Sequence, residues 1–138
     1  MSRDELRETF YLECEDLLEV LGSGLIMMDD GTNDDETINA IFRAVHSIKG
    51  GAAAFGLNEL VDFAHTFETA LDEVRSGRLE LVREVLSVFL RGSDNLSDLV
   101  SAARDGTPVD EAALNHVLEE IRKYIPEGGD ETANDADF

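Results

Sequence analysis

The chain is 138 residues long and carries 31 acidic side chains against 11 basic ones, a formal net charge of −20, with 43% apolar residues. That apolar share supports a buried core in one domain without disulfides or a structural metal. The charge excludes nucleic acid and anionic membrane surfaces as partners, because both need a basic footprint. The lone cysteine, Cys14, has no internal disulfide partner and falls on an apolar helix face, where a small core residue is expected. Met1–Arg7 reads as the start of a charged amphipathic helix rather than as a secretory leader, and no apolar run has the length of a membrane span. The expected compartment is the cytoplasm.

The first helix is expected from Arg3 to Asp29, with Leu6, Phe10, Cys14, Leu17, Leu21, Leu25 and Met28 on one stripe. Gly22 and Gly24 weaken its last two turns, each costing about 1 kcal/mol against alanine. Asp29 to Asn33 is a turn. The second helix spans Asp34 to Phe55, burying Ile38, Ile41, Phe42, Val45, Ile48, Ala52 and Phe55, and Gly56 closes it. The third runs from Asn58 to Ser76 on Leu60, Val61, Ala64, Phe67, Leu71 and Val74, with Gly77 as its stop. The fourth is expected from Leu79 to Arg104, ending at Gly106-Thr107-Pro108, and the fifth from an Asp110 N-cap to Ile125 before Pro126.

Residues 127–138 hold Glu127, Asp130, Glu131, Asp135 and Asp137 and no base. The division expected is a folded domain over 1–125 and an acidic, flexible linker over 126–138. Long helices with short connections, and no strand-like alternation, predict an all-α antiparallel up-and-down four-helix bundle with a fifth C-terminal helix attached. The pattern does not fix the oligomeric state; the isolated domain is expected to be a monomer.

The histidines are His46, His65 and His116. At the helical period His46 lies about 110° from the centre of its helix's apolar stripe, at the edge and not within it. Lys49 and Gly50 follow at three and four residues, and Ala53 at seven, so a cation flanks the imidazole beside a surface nearly bare of side chains. Gly50 and Gly51 together cost a plain structural helix about 2 kcal/mol relative to alanine. They fall on opposite flanks. Gly51 is expected to admit a neighbouring helix, and Gly50 to leave room for another protein at His46. On the third helix His65, Glu68 and Asp72 form a polar edge that an antiparallel hairpin would bring alongside His46 and Lys49.

The run His46-Ser47-Ile48-Lys49-Gly50-Gly51-Ala52-Ala53-Ala54-Phe55-Gly56 resembles the phosphorylation motif of the N-terminal histidine phosphotransfer domains of CheA chemotaxis kinases. Ala64-His65-x-x-Glu68-x-x-Leu71-Asp72-x-x-Arg75 is similar to the second signature of those domains. The likeness extends over about residues 3 to 125, strongest from Ile41 to Arg75. It implies that His46 accepts the γ-phosphoryl group of ATP from a kinase catalytic domain and passes it to an aspartate of a CheY- or CheB-type response regulator. It further implies that Glu68 accepts from the Nδ1–H of His46, leaving Nε2 as nucleophile, that Lys49 faces the phosphoryl oxygens, and that His65 completes the polar network. Gly50 and Ala53 would belong to the docking face.

No Walker-type loop and no glycine-rich nucleotide box is present, so no cofactor is expected in this chain. ATP and Mg²⁺ would be bound by the separate catalytic domain. The chain would then be a carrier and not an enzyme on its own, the front end of a longer kinase. A standalone phosphorelay protein is the nearest alternative, since such proteins share the His-x-x-Lys-Gly core. A purely structural acidic adaptor is a further one. A metal site of His46, His65 and Glu68 is disfavoured, because the candidates share an outer edge and Lys49 would repel a cation. No polar constellation surrounds His116, which reads as a solvated or partly packed residue.

Overall fold

A computed structural model describes residues 2–31 and 34–126. Among these, five helices form: α1 (Arg3–Asp29), α2 (Asp35–Ala54), α3 (Asn58–Arg75), α4 (Arg83–Asp105) and α5 (Glu111–Arg122). Past Pro126, the expected linker lies outside the described residues.

The starts of α1, α2 and α5 follow side chains able to satisfy free backbone N–H groups, whereas α3 and α4 begin without a side-chain cap. Ser2 and Glu5 make a reciprocal capping box on α1, Asp34 accepts from Thr37 N at 2.7 Å, and Asp110 accepts from Ala113 N at 3.1 Å. Asp34 is thus the cap of α2 and not its first residue. The start of α4 needs a larger correction, since Leu79 to Val82 are not helical. The α3 terminus folds back on itself there: Gly77 takes φ +82°, and Arg78 N and Leu79 N both donate to Glu73 O at 3.0 Å. Leu79 and Leu81 then pack against the core as a connection. At the other end, α5 stops at Arg122, and a tight turn carries Tyr124 and Ile125.

α1 packs on α2 and α4, and α3 packs on the same two helices, which closes a four-helix ring; α5 lies against α3 and α4. With short connections between consecutive helices this is the expected up-and-down bundle. Its centre holds Phe63, Phe67 and Phe89 with Leu21, Leu25, Ile48 and Leu96. Burial pushes the Cys14 thiol up to about 12, with the Glu13 charge adding to the effect, as befits a core residue.

Close approaches depend on missing Cβ atoms. One added to Gly24 would stand 2.7 Å from Ile41 Cγ1, so this glycine seats α1 on α2 and the helix tolerates it. Gly92 of α4 plays the same part beneath Phe67 and Ile121, a role its sequence context did not reveal. Leu6, expected inside, is 48% exposed, while Tyr11 is buried. The buried face of α1 is turned toward Tyr11 because the helix packs against two neighbours at once. Among the described residues no helix is long and apolar enough to cross a membrane.

Candidate functional site

The middle turns of α2 and α3 meet where Ile48, Ala52, Ala64 and Phe67 are buried. That packing sets the rotation of both helices and so brings their polar edges together. His46 projects from the edge of α2 with 61% of its side chain exposed, and its Nδ1 meets Oε2 of Glu68 from α3. Lys49, one turn on, donates from Nζ to the other oxygen, Oε1, at 2.7 Å. The Glu68 side chain is only 11% exposed, so both its oxygens are used in a nearly desolvated position where such bonds are strong. The ammonium orients the carboxylate, and the carboxylate holds the imidazole by one nitrogen.

His46, Lys49 and Glu68 therefore form one hydrogen-bonded group. Lys49 is tied to Glu68 rather than standing apart. His65 is half-buried one turn before Glu68, and its carbonyl accepts from Thr69 Oγ1 at 2.9 Å. Asp72, on the same polar edge, accepts from Arg75 Nη2 at 2.6 Å. Gly50 and Ala53 are exposed, and a Cβ added to Gly50 would meet nothing within 4 Å. His116 is on α5, 73% exposed, with Glu120 as its neighbour at 3.7 Å.

Phe42 and Arg75 were not singled out from the sequence as part of this neighbourhood. The Phe42 ring lies parallel to that of His46 within 9°, centroids 6.3 Å apart, and Arg75 Cζ stands 3.8 Å from the Phe42 centroid. The four-residue spacing of Phe42 and His46 was the signal available. Arg75 comes from another helix; the sequence marked it only as the last position of the second signature, with nothing to tie it to Phe42.

A cleft of about 400 Å³ lies elsewhere, between the start of α3, the end of α4 and the start of α5, lined by Leu57, Leu60, Leu99 and Val109 among others. Among the described residues no three His, Cys, Asp or Glu side chains are grouped to hold a metal ion. The imidazole stands on an open helical surface that another protein can reach.

Fold and site together define an all-helical bundle that presents, at His46, a carboxylate-tethered and solvent-exposed imidazole. The family model described as the Hpt domain matches residues 5–124, and the chain belongs to that family. It is 53% identical over 137 residues to the chemotaxis protein CheA of Rhizobium meliloti, covering 96% of this chain and 18% of that protein. It is 46% identical to CheA of Cereibacter sphaeroides, covering 99% of this chain and 20% of the relative. The chain thus spans about a fifth of the length of these relatives. Among solved structures, the phosphorylated P1 domain of CheA3 in complex with CheY6 from R. sphaeroides superposes with a TM-score of 0.74 at 24% identity, covering 87% of this chain and 98% of that one. The CheA phosphotransferase domain from Thermotoga maritima gives 0.67 at 28% identity, over 75% and 98%.

Proposed function

We propose that this domain carries phosphoryl groups on His46, receiving them from the catalytic domain of a CheA-type kinase and delivering them to an aspartate of a CheY- or CheB-type response regulator. The observation that carries the proposal is the contact of His46 Nδ1 with Glu68 on a ring otherwise largely open to solvent. A carboxylate at Nδ1 favours the tautomer with its proton there, which leaves the lone pair on Nε2.

Nε2 attacks the γ-phosphorus of ATP, a P–N bond forms, and the bond to the ADP oxygen breaks. The ring keeps its Nδ1 proton and so becomes formally cationic, a charge the Glu68 carboxylate stabilises. In the second transfer an aspartate oxygen of the regulator attacks phosphorus, the P–N bond breaks, and the imidazole returns neutral. Lys49 lies one turn from His46 and would meet the phosphoryl oxygens while retaining its hold on Glu68. His65 would support the same polar edge. Gly50 and Ala53 would form the bare face on which partners dock. ATP and Mg²⁺ would be held by the separate catalytic domain.

Residues 1–125 are assigned as the phosphotransfer domain and 126–138 as a linker to the rest of a cytoplasmic kinase. The test is incubation with labelled ATP and a CheA-type catalytic domain. An acid-labile, base-stable label is expected on the chain, and none on His46→Gln, whose melting temperature should stay close to wild type because the His46 side chain is largely exposed and Lys49 still pairs with Glu68. Undiminished labelling of His46→Gln would refute the assignment.

A further inference from the structure

An imidazole held at one atom can still rock about that atom, and an exposed one has little packing to prevent it. Glu68 restrains His46 at Nδ1, while 61% of the side chain faces solvent. The parallel Phe42 ring supplies a second restraint, on the ring's plane. Its centroid separation of 6.3 Å falls within the range of favourable aromatic pairs.

Phe42 is itself only half-buried, and it is held from across the helix interface. The Arg75 guanidinium covers its ring at 3.8 Å, a cation–π contact. Arg75 is in turn aimed by Asp72, whose Oδ1 accepts from Nη2 at 2.6 Å and from Nε at 3.1 Å. A second line of contacts, Asp72 to Arg75 to Phe42 to His46, thus crosses from α3 to α2 beside the direct line from Glu68. One line fixes an edge atom of the imidazole and the other its plane.

We propose that Phe42, held by Arg75, is a positioning residue for His46. It sets the ring plane so that Nδ1 meets Glu68 and the Nε2 lone pair points along the line of attack. Displacement at phosphorus demands that alignment, and small misplacements slow it. The consequence for rate rests on His46 being the phosphoryl acceptor; the effect on the ring does not.

The experiment reads the two separately. The ring nitrogens of His46 are followed by NMR at a pH where the imidazole is neutral, and phosphorylation is measured against increasing concentrations of a CheA-type catalytic domain. In Phe42→Leu the fraction of His46 protonated at Nδ1 should fall, and kcat for acceptance should drop about threefold with KM unchanged. Arg75→Gln, altered at a position 40% exposed, should fold as wild type and shift both readouts the same way by less. Phe42→Tyr keeps the aromatic face and should restore the wild-type ring signals. A wild-type tautomer ratio in both Phe42→Leu and Arg75→Gln overturns the proposal, even if the rate falls, because the loss would then lie in docking. If wild type itself accepts no phosphoryl group, the carrier function fails while the tautomer ratio still judges the role of Phe42.

Discussion

Gly51 lies so close to the Phe10 ring that a Cβ added to it would stand 2.3 Å from Phe10 Cε1, whereas one added to the adjacent Gly50 would meet nothing within 4 Å. The neighbouring glycines therefore answer to different constraints: α1 presses on the first, and the second is open to solvent. Gly51→Ala should destabilise the fold by about 1–3 kcal/mol through overpacking. Gly50→Ala should stabilise it by about 1 kcal/mol through helix propensity alone. Opposite shifts of the thermal midpoint, followed by circular dichroism, are the expected result.

The same open position tests docking. Gly50→Gln places a long neutral side chain one turn from His46, and Gly50→Lys a similar bulk with charge. Both should melt at or above the wild-type temperature yet transfer phosphoryl groups to the regulator far more slowly. Comparing the two separates bulk from a change in electrostatic steering of this acidic chain. Wild-type transfer rates in both variants would remove Gly50 from the docking face.

Glu68→Gln should slow phosphorylation of His46 without unfolding the domain. A neutral amide is a weaker acceptor for the Nδ1–H, and it no longer compensates the cation formed when Nε2 is phosphorylated. The ring nitrogen shifts of unphosphorylated His46 at pH 8 should show a smaller Nδ1-protonated population than wild type. An unchanged population would show that Glu68 does not orient the ring.

Glu59, in the first turn of α3, adjoins Glu111 in the first turn of α5. Burial, then the hydrogen bond and charge of Glu111, with a smaller contribution from Asp62, raise its carboxyl above the ordinary value of 4.5. The folded state thus holds this proton more tightly than the unfolded one. The resulting stability is present in full below the unfolded value and is lost as pH rises through the raised folded value. Glu59→Gln should therefore melt higher than wild type near neutrality, with the difference vanishing toward pH 4. Melting temperatures taken across that range check it; a constant difference at every pH would contradict it.

Much of this molecule follows from local rules. The helical period and the cap at Asp110 place α1, α2, α3 and α5 to within a few residues, because backbone hydrogen bonds and i, i+4 neighbours are short-range. Those same rules put His46 at the edge of its stripe, beside Lys49 and a bare flank, and identify Gly51 as a point of close approach. They do not say what approaches it. That Phe10 fills this place, that Glu68 takes both His46 and Lys49, and that Arg75 reaches Phe42 were decided by the rotation and axial register of packed helices. Those quantities depend on the whole core at once, from Phe67 and Phe89 to Gly92 beneath Ile121. The late start of α4 has the same origin. Leu79 has the apolarity to begin a helix, but the α3 terminus and the core claim the segment first, binding its backbone to Glu73 and its side chain to the interior. Sequence periodicity shows which side of a helix is apolar, and only packing shows which residues of another helix that side will meet.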